Sequence, residues 1–292
     1  MKKVSFIWLL LVMVLSVSAS TPVIEKDGEK YILKTGDLCM TIDTNGGKIL
    51  SLKCGDKEVI SQSRWPESFG STFWTSPQKE WNWPPVPEYD KRLYTVEQYA
   101  DRLVMTSQVS ERLHYRIQKE FTADDATHAF VITYSIINES NETRSVAPWE
   151  ITRVPNGGLI FFDAPVDSIF PPNLLTFQSA HGAAWYQADD AGENRKINAD
   201  GRGWLAYAAN GLLLVKQFQD LDTSQPAPGE AEIQVYVNRG KTYIELESQG
   251  AYTSLKPMER LNWTVRWQLV PCDLEAVPSA ELLSMVKGLL AP

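Results

Sequence analysis

From residue 30 onward, apolar side chains recur at every second position and rarely at helical spacing, a period that β-strands satisfy and helices do not. Lys30–Lys34, Leu38–Asp43, Lys48–Lys53, Arg102–Val109, His114–Phe121 and His128–Ile137 carry the pattern. So do Trp204–Ala208, Leu212–Phe218, Glu232–Asn238, Thr242–Ser248 and Leu261–Leu269. These segments are rich in Val, Ile, Thr, Tyr and Phe, and turn residues separate them at short intervals. With no long helical stretch between them, they must join as antiparallel meanders, so the predicted class is all-β, a large antiparallel sandwich. One short C-terminal helix is expected, Ser279–Leu290, opened by Pro278 and Ser279. No linker divides the chain, and residues 20–292 are expected to form a single domain.

The first 19 residues read differently. Lys2 and Lys3 precede an apolar run from Val4 to Val17, and Val17-Ser18-Ala19 supplies the small residues of a signal-peptidase site. Cleavage after Ala19 and a periplasmic or secreted location are expected. The run is shorter than the roughly 20 residues a spanning helix needs, and no cysteine follows the cut to carry a lipid. Losing the leader removes two positive charges from a chain whose formal charge is already −8. Such a chain, without a basic run, has nothing to attract nucleic acid or an anionic membrane. Phosphate-binding glycine loops, dinucleotide fingerprints and a GxSxG nucleophile turn are absent, so no cofactor is expected.

Cys39 and Cys54 flank Asn45-Gly46-Gly47, a hairpin signal. If Gly46-Gly47 closes the hairpin, Cys39 faces Cys54 and an oxidising compartment permits a bridge. If Asn45-Gly46 closes it, Cys39 faces Leu52. Cys272 is the third cysteine, and without CxxC spacing or a His pair no metal site is expected.

Two stretches break the alternation. Arg64–Asp90 holds Trp65, Trp74, Trp81 and Trp83 among prolines and glycines, the composition of a functional loop. Ala188–Gly203 is polar and reads as an exposed loop.

The strand Thr242–Ser248 is the first candidate for chemistry. Alternation puts Tyr243, Glu245 and Glu247 on one face and Ile244 and Leu246 on the other. In the next strand Leu261, Trp263, Val265, Trp267 and Leu269 oppose Asn262, Thr264, Arg266 and Gln268. Burying both apolar faces in one core is expected to leave the Glu face and the Arg266 face together. Two carboxylates spaced roughly 6.5–7 Å along a strand can serve one ligand, or can pair with arginine as a solvated surface.

Pro148-Trp149-Glu150-Ile151-Thr152-Arg153 is the second candidate. An indole beside a carboxylate suits a sugar, the ring stacking on C–H groups and the acid oxygens accepting from hydroxyls; a core Trp with a Glu–Arg pair is the alternative. Ten tryptophans allow several rings at a ligand and several in the core. Of the three histidines, His114 and His128 fall in strand patterns, leaving His181 as the acid–base candidate. Lys216 alternates with Leu214 and Phe218, and projects either into the same cleft or to the surface.

Gly46-Gly47-Lys48-Ile49-Leu50-Ser51-Leu52, Gly70-Ser71-Thr72-Phe73-Trp74-Thr75-Ser76-Pro77 and Trp83-Pro84-Pro85 resemble the galactose mutarotase-like proteins, and more narrowly an uncharacterised secreted bacterial branch of that superfamily. Ile244-Glu245-Leu246-Glu247-Ser248-Gln249 is similar to the strand carrying the catalytic glutamate there, and Glu247 is the match. Tyr252–Pro257 and Trp263–Trp267 resemble its closing strands. The resemblance implies a twisted β-supersandwich with a sugar cleft on a concave face. It also implies a mechanism in which a glutamate takes the anomeric hydroxyl proton while a histidine protonates the ring oxygen. Where those proteins place the histidine, this chain has Pro148-Trp149-Glu150. Glu150 with a raised pKa, or His181 from a loop folded over the cleft, would then supply the acid.

The expected function is that of an exported carbohydrate-binding protein. Glu247, Glu150 and His181 are the groups expected to act on the ligand. Trp74, Trp81, Trp83, Trp149, Arg153, Glu245 and Lys216 are expected around it. An enzyme acting at an anomeric carbon, with Glu247 as base, and a structural or assembly partner are the alternatives.

Overall fold

The computed structural model describes residues 22–63, 68–190 and 192–290. The expected leader and Trp65 lie outside the described residues. Two antiparallel sheets pack face to face. The first runs, edge to edge, Val23–Asp27, Lys30–Thr35, Leu38–Asp43, Lys48–Cys54, Ser71–Ser76, Arg144–Pro155, Tyr243–Gln249, Ile233–Val237 and Arg195–Ala199. Short strands Lys57–Glu58 and Thr253–Leu255 flank it. The second runs Gln178–Ala180, Ala183–Gln187, Leu159–Phe162, Trp204–Ala209, Leu212–Gln217, Arg260–Pro271, Ala129–Asn138, Tyr115–Asp124, Arg102–Thr106 and Thr95–Gln98.

Every segment read as a strand is one, with ends moved by a few residues at most. The alternating apolar residues fill the space between the sheets: Leu33, Met40, Leu52, Phe73, Ile244 and Leu246 from the first meet Ile117, Ile132, Tyr134, Val265, Trp267 and Leu214 from the second. Phe73 and Tyr134 stack across this interface with ring centroids 4.3 Å apart.

The helix Ala280–Leu290 covers the outward face of the second sheet. Its Leu282, Leu283 and Val286 pack on Phe161, Trp185, Trp204 and Leu213. The outward face of the first sheet is overlain instead by the aromatic segment after Ser76 and its short helix Pro87–Asp90.

Three expectations need correction. Ser71–Ser76 and Arg195–Ala199 are strands inside stretches read as loops. His114 and His128 are exposed residues with positive φ just before their strands, not strand residues. The hairpin after Leu38–Asp43 closes with four residues, not two, because Asp43 pairs with Lys48. A register shift at Thr41/Ile42 then puts Cys39 opposite Lys53 and Cys54 opposite Leu38, and all three cysteines are free. The reason is tertiary. The Gly46 N–H donates to the Arg92 carbonyl at 2.9 Å, and buried Lys119 donates to the Gly46 and Gly47 carbonyls at 2.8 and 3.0 Å. Gly46, at φ +74°, also passes so near the Asp90 backbone that a Cβ would collide with it.

Candidate functional site

Register on the first sheet assembles one row of outward side chains from separate strands. Lys196 pairs with Tyr236, Tyr236 with Glu245, and Glu245 with Arg153. Partners in an antiparallel ladder project to the same face, so the four side chains stand side by side. Two rows along the same face, past Ile151 and Glu247, Trp74 stands beside Trp149. Above these rows lies a cavity of about 290 Å³. Three indoles (Trp74, Trp83, Trp149) and two phenols (Tyr236, Tyr243) line it. Its polar groups come from Lys196, Glu245, Ser68 and Gln78.

The rings support one another. Trp74 meets Trp81, Trp83 and Trp149 edge to face, with centroids 5.4, 6.1 and 5.4 Å away. Trp83 is 55% exposed and offers a free ring face. Trp81 does not line the cavity: it is buried, its Nε1 donates to the Thr75 carbonyl at 2.8 Å, and it backs Trp74 and Trp149. The Trp74 indole donates to Asp90 Oδ1 at 3.0 Å, as does the Thr72 hydroxyl at 2.8 Å, and Lys48 contacts Oδ2 at 3.0 Å. Burial opposes ionisation of Asp90, but the Lys48 charge and these donors outweigh it and hold the carboxyl below its usual pKa.

Glu245 lines the cavity and pairs with Arg153 Nη2 at 2.8 Å. The Arg153 guanidinium is buried between the Trp74 and Tyr243 rings, 5.9 and 5.8 Å from their centroids. Glu247 lies one step deeper. Its carboxylate is wholly buried and is not part of the cavity wall. Trp149 Nε1 donates to Oε2 at 2.8 Å, and the Lys196 ammonium sits 2.9 Å from the same oxygen. Oε1 has no hydrogen-bond partner. Burial pushes the Glu247 pKa up; the Lys196 charge opposes this, and the Glu245 charge adds to it. Lys196 is one-third exposed and lies 4.6 Å from the Trp149 ring centroid, so it forms a lid between Glu247 and the cavity.

Glu150 and Lys216 are elsewhere. Glu150 pairs with Ser248 and projects through the opposite face of the sheet, into the space between the two sheets. There Glu150 Oε2 meets Lys216 Nζ at 2.6 Å, while Oε1 accepts from the Tyr134 hydroxyl at 2.5 Å and Trp267 Nε1 at 3.0 Å. Lys216 also donates to the Thr152 hydroxyl at 2.9 Å, and burial lowers its pKa against the pull of Glu150. The expectation that these two face a ligand is corrected: adjacent residues on a strand alternate faces, so Trp149 and Glu150 cannot share one. Arg266 is likewise remote from the Glu245 face. It lies on the second sheet and pairs with Asp124, because the sandwich turns the two polar faces outward in opposite directions. His181 is an exposed turn residue between Gln178–Ala180 and Ala183–Gln187 at the edge of the second sheet, and none of the three histidines lines the cavity.

Lys196 and Tyr236 were missed by sequence reasoning. The alternation Lys196-Ile197-Asn198 and Gln234-Val235-Tyr236 was their only signal, and in the first case it spans too few residues to stand out from a polar loop.

No family model and no curated protein matches the chain in sequence. In structure it is similar to a galactose mutarotase-like protein from Lactobacillus casei, at 12% identity and a TM-score of 0.60 over 82% of this chain and 100% of that one. It is similar to galactose 1-epimerase from Lactobacillus acidophilus at 11% identity and 0.54, over 87% and 100%. A TPR-domain containing protein from Parabacteroides distasonis aligns at 15% identity and 0.61, over 86% of this chain and 49% of that one.

Proposed function

We propose that this chain, which has the galactose mutarotase-like fold, is an exported protein that holds a carbohydrate against Trp74, Trp83 and Trp149. The observation that carries the reading is the pairing, in one cavity, of indole and phenol faces with the Glu245 and Lys196 side chains. A sugar presents an apolar C–H face ringed by hydroxyls, and this lining answers both, by stacking and by charge-assisted hydrogen bonds. Two of the structural relatives bear names from sugar chemistry, which favours the same ligand class. The apolar run and Ala19 site at the start of the sequence support export.

Tryptophan-fluorescence titration against a panel of free sugars, with a glycan array beside it, tests the reading. Binding that weakens about tenfold in Trp83→Ala is expected, the loss of one stacked ring at roughly 1.4 kcal/mol. Absence of any ligand, or an unchanged affinity in that variant, would refute it.

One observation favours catalysis as a second reading. Glu247 is a carboxyl with a raised pKa and an unpartnered oxygen directly behind the cavity, the condition of a general base. It reaches a ligand only when Lys196 swings aside. Acceleration of anomer interconversion over its spontaneous rate, followed by polarimetry, should then vanish in Glu247→Gln; an equal rate in both proteins removes the residue from any mechanism.

A further inference from the structure

The cavity is one end of a longer depression. Beyond Arg153, the row of paired residues continues across the sheet. The Arg153 N–H donates to the Gly70 carbonyl at 3.3 Å, and the strand beginning there pairs Ser71 with Ile49, which sets Gly70 beside Leu50. Next to Leu50, Ser51 pairs with Thr41. Lys196, Tyr236, Glu245, Arg153, Gly70, Leu50 and Thr41 therefore lie in one line across seven neighbouring strands, about 29 Å at the usual strand spacing. Gly70, at φ +72°, packs against the Ile49 carbonyl so closely that a side chain there would collide with it, and the middle of the line stays low.

Two further hollows follow this line. A middle one of about 440 Å³ is bounded by Ser68, Phe69 and Leu50, with Asp43, Asp90, Lys48 and Lys91 as its charged groups. A far one of about 330 Å³ shares Leu50 and Phe69 and adds Lys53, Glu58 and Gln62. Ser68 also lines the aromatic cavity, so each hollow shares a wall with the next. All three repeat one chemistry: an apolar wall beside a cation and a carboxylate.

From this repetition we infer that the outward face of the first sheet is a multi-subsite groove for a linear, uncharged oligosaccharide of several rings, lying across the strands. The inference rests on the carbohydrate reading and extends it from one ring to a chain. A polymer of like units, each with an apolar face and a hydroxyl rim, needs one such surface per unit or two. Balanced charges in each hollow favour a neutral chain over an acidic one. An extended peptide fits less well, since it binds by pairing with a free strand edge, and here the backbone groups under the line are already engaged in the sheet.

Calorimetry with gluco- and galacto-oligosaccharide ladders of one to six units, alongside matched uronic-acid ladders, decides the matter. The expected result is affinity for a neutral ladder that climbs at least tenfold from dimer to hexamer. In the double variant Lys53→Ala/Gln62→Ala, both exposed positions, the hexamer-to-dimer affinity ratio should fall several-fold. Affinity that does not change with length, but is still lost in Trp83→Ala, overturns the groove and leaves the single-ring cavity standing. Preference for the uronic-acid ladder alone overturns the uncharged class. No binding by any member sinks the groove and the carbohydrate reading together.

Discussion

Two glutamate–lysine pairs occupy opposite faces of the first sheet, and their difference separates structure from chemistry in this molecule. Glu150 and Lys216 lie between the sheets with neither side chain exposed, and Tyr134, Trp267 and Thr152 complete their hydrogen bonds. Glu247 and Lys196 lie on the other side. That carboxylate is equally buried, but its lysine reaches solvent and one of its oxygens is unpartnered. The glutamates are almost neighbours, for Glu247 pairs with Ile151, the residue after Glu150. An offset of one residue between two paired strands thus separates a carboxylate in a closed polar network from one buried behind a cavity. The first arrangement has nowhere to admit a ligand. In the second, both partners of the carboxylate, Lys196 and Trp149, line a cavity.

Of the two pairs, the inner one has the larger effect on folding when broken. Glu150→Ala should destabilise the protein by about 3–5 kcal/mol, since it strands the Lys216 ammonium in an apolar interior. Urea denaturation measures the loss. The double change Glu150→Leu/Lys216→Leu should restore much of it, because two apolar side chains need no partners. A single variant as stable as the parent would mean that the inner network is not what orders the sheets.

The outer pair should respond less and with a pH signature. Lys196→Met removes one contact of a carboxylate that keeps its Trp149 donor, a loss of about 1–2 kcal/mol at neutral pH. The sign of the pH effect follows from burial. Because the folded Glu247 pKa is raised, the unfolded chain gives up its proton first, and stability falls as pH rises above about 4.3. Without the Lys196 charge the folded pKa climbs further, so the decline extends to higher pH. Glu247→Gln should flatten the same stretch of the profile. Denaturation midpoints for the three proteins between acid and neutral pH check both; parallel profiles would show that Glu247 does not titrate as its burial demands.

The sandwich was legible in the sequence, and the site only in part, for one physical reason. A strand with one apolar and one polar face announces itself by alternation, and Leu38–Asp43 or Arg260–Pro271 could be bounded within a residue or two. Two of the strands beside the cavity do not stand out in that way. Ser71–Ser76 is buried on both faces, so its outward Trp74 and inward Phe73 are equally apolar to the eye. Arg195–Ala199 carries Lys196 to the cavity and was indistinguishable from a polar loop. Glu247 and Glu245 were found because alternation along Thr242–Ser248 sets both carboxylates on one face. Glu150 was misassigned because its neighbour Trp149 does face the site, and adjacency in sequence is the opposite of adjacency on a strand. His181 was singled out because the other two histidines fall in strand patterns, yet it stands in an exposed turn away from the cavity; chemistry without placement is a weak guide.

The smallest effect expected on stability sharpens the comparison most. Trp83 is half exposed and touches Trp74 by its edge, so Trp83→Ala should change the unfolding free energy by no more than about 0.5 kcal/mol. Trp81→Ala, by contrast, empties a buried site between Trp74 and Trp149 and should lose about 3–5 kcal/mol. The two indoles are two residues apart and belong to the same aromatic cluster, yet one builds the wall and the other presents a surface. If thermal unfolding shows Trp83→Ala to be as damaging as Trp81→Ala, then Trp83 is a core residue with an accidental exposed edge. An exposed ring held in place at no benefit to the fold is what a ligand-stacking surface looks like before its ligand arrives.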